Sequence, residues 1–222
     1  MQVNYLLEFG RRSCIHVFEQ PLDGWERRLL ASVPVDRPAY MHSFGLTDRY
    51  VVLVESPLRV HPLRMRFSTN SRLLRYRLPR TGGTARVEEI SPEPAELPRI
   101  HEGASAGRRY ASLWTASTRS PESGFFNRIN RIDVENGSRA ATWEQDGCFA
   151  GEPLFIPRPG GSSEADGVVV SLILDSVAQR SALLALDAKS LAELARAELP
   201  HIVPFHFHGR HTSGAEPTDT AG

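Results

Sequence analysis

The length of the apolar runs constrains this chain more than any other feature. Apolar residues come in short stretches, and turn-forming clusters close them off. The stretches are Val3 to Phe9, Cys14 to Phe18, Tyr50 to Val54, Leu73 to Leu78, Tyr110 to Thr115, Val168 to Leu174 and Ala182 to Leu186. Runs of this length, rich in Val, Ile, Leu and aromatic residues, read as strands, whereas helices need longer stretches with 3.6-residue spacing. Between them stand Pro21-Leu22-Asp23-Gly24, Thr81-Gly82-Gly83, Asn136-Gly137 and Pro159-Gly160-Gly161, which supply turn conformations. Ala188 to Ala197 alone has a helical look, with Leu191, Leu194 and Ala195 suitably spaced. It reads either as a short helix or as one turn before another strand. The class is all-β, as a sandwich, barrel or propeller.

With 222 residues, 41% of them hydrophobic, the chain can bury a substantial core in one domain. That domain is expected over residues 1–211, with the small, polar stretch 212–222 as a frayed tail. Ser91 to Pro98, with three prolines and two glutamates, also reads as mobile. No run approaches the eighteen apolar residues of a membrane-spanning helix. Met1-Gln2-Val3-Asn4-Tyr5 lacks the start of a signal peptide. Basic and acidic residues balance at 26 each, which argues against nucleic acid as a partner held by bulk charge. Lys189 is the sole lysine, an arginine bias expected of a GC-rich bacterial genome. Cys14 and Cys148 are far apart and form neither a disulfide framework nor a metal knuckle, so a reducing cytoplasm is expected.

Of the eight histidines, His201, His206, His208 and His211 crowd into eleven residues near the C-terminus. Imidazoles suit transition metals, and on a strand His206 and His208 would share a face. A solvated polar edge is the commoner meaning of such a cluster. Taken alone, His42 reads as a core or turn histidine, and Glu96 and Glu152 as loop acids.

Four segments together are more specific. Tyr40-Met41-His42-Ser43-Phe44-Gly45-Leu46-Thr47 precedes the strand from Tyr50. Ala95-Glu96-Leu97-Pro98-Arg99-Ile100 follows. Then comes Gly151-Glu152-Pro153-Leu154-Phe155-Ile156-Pro157-Arg158-Pro159, leading into Asp166-Gly167. Last come Leu186-Asp187-Ala188-Lys189 and Ala195-Arg196-Ala197-Glu198-Leu199-Pro200, ending in Phe207-His208-Gly209. In content and order these segments resemble the carotenoid cleavage oxygenases, which include the apocarotenoid oxygenases and the retinal pigment epithelium isomerase.

The resemblance implies a seven-bladed β-propeller whose axial Fe(II) is held by four histidines. It implies that His42 and His208 are iron ligands. Glu96 and Glu152 would accept hydrogen bonds from ligand rings and orient them. The implied reaction is O₂-dependent cleavage of a conjugated C=C bond in a carotenoid, apocarotenoid or stilbene-like polyene. Phe44, Phe205 and Phe207 are candidates for the apolar surroundings of the iron. His206 falls where the family has a small or hydroxyl residue, and stands open as a metal neighbour or a channel-lining residue. The chain corresponds to the C-terminal half of that propeller, so two ligand histidines would belong to a missing N-terminal half or a partner chain. A stretch of the family pattern is also lacking between about Arg66 and Ser71. Two other readings compete: a non-catalytic β-rich module that binds an apolar ligand or a partner chain, and a metal site built from His206, His208, His211 and Cys148.

Overall fold

The computed structural model describes residues 2–8, 13–35, 44–46, 50–55, 58–61, 64–67, 71–78, 84–120, 124–205 and 208–211. Among these the fold is almost wholly antiparallel β. The first sheet joins β1 (Gln2–Glu8), β2 (Ser13–Gln20) and β3 (Arg28–Val35). The second runs in the order β4 (Phe44–Leu46), β5 (Tyr50–Glu55), β8 (Arg72–Arg77), β9 (Arg86–Ser91). A separate hairpin, β6 (Leu58–His61) and β7 (Arg64–Phe67), interrupts it. The third joins β10 (Glu96–Arg99), β11 (Ser112–Ser117), β12 (Arg128–Asp133) and β13 (Arg139–Glu144), with the single-turn helix α1 (Glu102–Ser105) between β10 and β11. The fourth joins β14 (Cys148–Ala150), β15 (Leu154–Pro157), β16 (Gly167–Asp175), β17 (Arg180–Asp187) and β18 (Glu193–Glu198).

The sheets begin at residues 2, 44, 96 and 148, a spacing close to the roughly 40–50 residues of a propeller blade. They also pack in chain order. Ile15, Val17 and Val33 of the first sheet meet Val51, Leu74 and Tyr76 of the second. On the other face of the second sheet, Val52, Leu73 and Ile90 meet Leu113 and Ile132 of the third. The third sheet then turns Trp114, Ile129 and Trp143 onto Val169, Ile173, Leu184 and Leu186 of the fourth. Neighbours in sequence such as Val51 and Val52, or Leu113 and Trp114, therefore serve different interfaces, because successive side chains leave opposite faces of a strand. Both faces of the second and third sheets are covered, which explains continuous apolar runs in place of strict alternation. Consecutive sheets stacked face to face make a partial β-propeller.

Residues 188–192 form one turn, and β18 follows, which settles the two readings of Ala188 to Ala197. Ser91 to Pro98 is a correction to the expected mobile segment. Ala95 is 1% and Leu97 6% exposed, and the stretch joins β9 directly to β10. Its prolines set the turn and the entry to an edge strand, while Ala95 enters the core between the second and third sheets. Residues 202–205 and 208–211 form no strand, so His208 comes from a strap without regular structure. His206 and the tail 212–222 lie outside the described residues. No helix among the described residues is long and apolar enough to cross a membrane.

Candidate functional site

The fourth sheet places one carboxylate with care. β14 and β15 pair with successive parts of one edge of β16, residues 173–175 and 167–170. The break between them, residues 151–153, carries Glu152. Gly151 holds the break against the sheet: its N–H donates to Leu172 O at 2.9 Å, and its carbonyl accepts from Ser171 Oγ at 3.1 Å. Glu152 is only 4% exposed. A carboxylate so buried needs partners, and two distant segments supply them.

Arg99, at the end of β10, donates Nε to Oε1 at 2.9 Å and Nη2 to Oε2 at 3.1 Å, a bidentate pair. The Gly209 N–H donates to Oε2 at 2.9 Å, and Nδ1 of His208 meets Oε1 at 2.9 Å. Arg99 Nη2 also donates to the Gly209 carbonyl at 2.9 Å, so one guanidinium grips both carboxylate and strap. The approach is close: a Cβ at 209 would stand 3.0 Å from Leu154 Cδ1, so the Leu154 side chain would have to give way.

The electrostatics fix the protonation. Burial raises the Glu152 pKa, but hydrogen bonds from Arg99, Gly209 and His208, and the charge of Arg99, outweigh it and hold the carboxyl below its ordinary value. An ionised carboxylate only accepts, so the proton on Nδ1 of His208 must point to it. In the neutral ring the lone pair then lies on Nε2. This is the tautomer in which an imidazole ligates a metal with its second nitrogen held by a carboxylate.

Glu96, on β10, is in a different state. Burial raises its pKa to about 7, although a hydrogen bond from Ser71 lowers it. Ser71 Oγ donates to Oε1 at 2.5 Å. The structure thus brings His208 to Glu152 and places Glu96 on Ser71. His42 lies outside the described residues. Among the described residues no three His, Cys, Asp or Glu side chains converge as a metal site. Cys148 does not converge with His208 and His211 among the described residues; it is 1% exposed, and burial first, then the charge of Asp175, pushes its thiol up to about 11. Phe44 packs edge-on to Tyr5 in the core between the first and second sheets, with centroids 5.8 Å apart.

Sequence reasoning missed Arg99. It sits three residues after Glu96 in the same quoted segment, and an arginine between the apolar residues Pro98 and Ile100 was the available signal. Its partner Glu152 is 53 residues away, which no local pattern shows.

The description "retinal pigment epithelial membrane protein" belongs to a family model that matches residues 2–70 and 62–213. The chain belongs to this family. The two matched segments overlap over residues 62–70. The chain is 33% identical over 145 residues to carotenoid cleavage dioxygenase 8 homolog A, chloroplastic, of Oryza sativa subsp. japonica, covering 63% of this chain and 26% of that protein. It is 35% identical over 151 residues to the torulene dioxygenase of Fusarium fujikuroi, covering 64% and 26% respectively. The crystal structure of cobalt-substituted Synechocystis ACO matches with a TM-score of 0.71 at 24% identity, over 90% of this chain and 43% of that one. This last likeness concerns fold. The matched segment is about a quarter of the length of these curated relatives.

Proposed function

We propose that this chain is the C-terminal part of a non-haem Fe(II) dioxygenase of carotenoid-oxygenase type. Its reaction would be O₂-dependent cleavage of a conjugated C=C bond in a carotenoid, apocarotenoid or stilbene-like polyene. Both oxygen atoms would leave in the two carbonyl products. The observation that carries this reading is the Arg99–Glu152–His208 relay. A buried carboxylate, kept anionic by a guanidinium, holds Nδ1–H of one histidine and leaves Nε2 as the lone-pair nitrogen. Neutral imidazole in this tautomer suits Fe(II). His208 and His42 would hold the ion, Glu152 would fix the His208 ring, and Glu96 is proposed as the second orienting carboxylate. Bound Fe(II) would supply a site for binding and activating O₂ next to the substrate double bond. Further ligands would come from a preceding or partner polypeptide, since the chain spans a fraction of its relatives.

The test is metal content and polyene turnover of soluble chain purified with Fe(II) under argon. Near-stoichiometric iron, lost in both His42→Ala and His208→Ala, supports the reading. Iron retained by both variants overturns it. One observation favours the rival reading of a non-catalytic module for an apolar ligand or partner chain: among the described residues no three ligating side chains converge. That reading expects apocarotenoid binding, without turnover, to survive both substitutions.

A further inference from the structure

His208 sits on a strap without regular structure, yet a metal ligand must be held within a few tenths of an ångström. The hydrogen bonds of His208 and Gly209 to Glu152 and Arg99 all gather at one place on the strap. A second fastener lies three residues upstream on both segments. Phe205 precedes His208 by three, and Phe149 precedes Glu152 by three. Their rings meet edge-to-face with centroids 5.6 Å apart. Phe125, from the loop after β11, closes the group. It stacks on Phe205 at 3.9 Å with an interplanar angle of 1° and meets Phe149 edge-on at 6.2 Å. The Phe125 loop is itself tied to the fourth sheet, because the Ala150 N–H donates to the Phe126 carbonyl at 2.9 Å. Upstream, Ser181 Oγ accepts from the Val203 N–H at 2.9 Å and donates to the Val203 carbonyl at 3.2 Å.

Phe125 and Phe205 remain 50% and 49% exposed. Two half-exposed phenyl rings held face to face gain little core burial, so general stability does not explain their placement. What they do fix is geometry. Phe205 meets Phe149 through their rings, and His208 meets Glu152 through the carboxylate–imidazole bond, so two contacts three residues apart tie the strap to the fourth sheet.

We propose that Phe125, Phe149 and Phe205 form an aromatic clasp that positions His208 on Glu152, with Phe205 and Phe125 as positioning residues. The proposal deepens the reading of His208 as a metal ligand and rests on it for its purpose, but the clasp can be tested without metal. The Gly209 amide, which donates to Glu152 Oε2, reports directly on whether the strap is seated.

The experiment measures Gly209 amide hydrogen exchange in the full chain, and Fe(II) and Co(II) affinity by titration under argon. Phe205→Ala is expected to speed Gly209 exchange about tenfold or more relative to core amides of β16, whose exchange stays unchanged. Metal affinity should fall by a similar factor. Phe125→Ala, on a different segment, should reproduce both effects. Phe205→Tyr should restore them, since a phenol stacks as a phenyl does. Trp25→Ala, at a residue 93% exposed elsewhere, should change neither. If Phe205→Ala does not fold, Phe125→Ala and Phe205→Leu carry the test. Unchanged Gly209 exchange in Phe125→Ala and Phe205→Leu overturns the clasp. Metal affinity indifferent to His208→Ala, with Gly209 exchange still sensitive to Phe205, overturns the ligand reading and leaves the clasp standing.

Discussion

Replacing Arg99 by Met tests the central relay, because it removes the charge that keeps Glu152 ionised while leaving an apolar stem in place. Glu152 is 4% exposed and accepts four hydrogen bonds, two of them from Arg99. Removing one partner of a buried ion pair costs about 3–5 kcal/mol, since the remaining charge is left without compensation. The Arg99 side chain is 24% exposed, so water screens part of the pair, and about 2–4 kcal/mol is expected here. The bond of Arg99 to Glu102 adds little, because that carboxylate is 68% exposed.

The sign of the pH dependence follows. In the parent chain the folded-state pKa of Glu152 lies below its unfolded value. Its contribution is therefore present above about pH 4.5 and is lost as the pH falls through the folded value. Without the guanidinium, only the Gly209 and His208 donors oppose burial, so the folded pKa is expected to rise relative to the parent. Protonation then relieves the penalty as the pH falls. The gap between parent and Arg99→Met should be widest near pH 7 and should shrink by about half or more toward pH 5. Urea unfolding of both chains at several pH values measures it. A loss under about 1 kcal/mol at neutral pH, or a gap that does not narrow on acidification, would refute the reasoning.

Two other outcomes follow from single residues. Glu96, with a pKa raised to about 7 by burial, should cost stability progressively as the pH rises from about 4.5 through 7. Glu96→Gln should flatten that dependence, gaining on the order of 2–3 kcal/mol over the parent at pH 8 in urea unfolding. Gly137 has a φ of +72°, and a Cβ there would stand 1.9 Å from the Ile90 carbonyl oxygen. Gly137→Ala should therefore cost about 2–4 kcal/mol and shift the β9 edge, read as faster amide exchange over residues 86–91.

The sequence by itself determined the fold class, because the causes of strand formation are local. Runs such as Tyr50 to Val54 and Val168 to Leu174 are short, apolar and bounded by turns, and they became β5 and β16. The edge strands were harder to read. β9 is Arg-Val-Glu-Glu-Ile-Ser, with its first four residues exposed and its last two buried, and its pairing with β8 outweighs a polar composition. The quoted segments also placed Glu152 and His208 in one family pattern without showing that they touch. That contact, and the part played by Arg99, belong to the tertiary structure alone. Stacking of consecutive sheets brings the end of β10, the break between β14 and β15 in the fourth sheet and the C-terminal strap to one point, across separations of 53, 56 and 110 residues. Hydrogen bonds between groups so far apart leave no periodicity in the chain. Burial then decides what each acid does. Glu152, fed by a guanidinium and two further donors, is held as an anion, while Glu96, with Ser71 for a donor, is pushed toward neutrality. The same side chain acquires opposite character because desolvation and donor supply are properties of the folded surroundings.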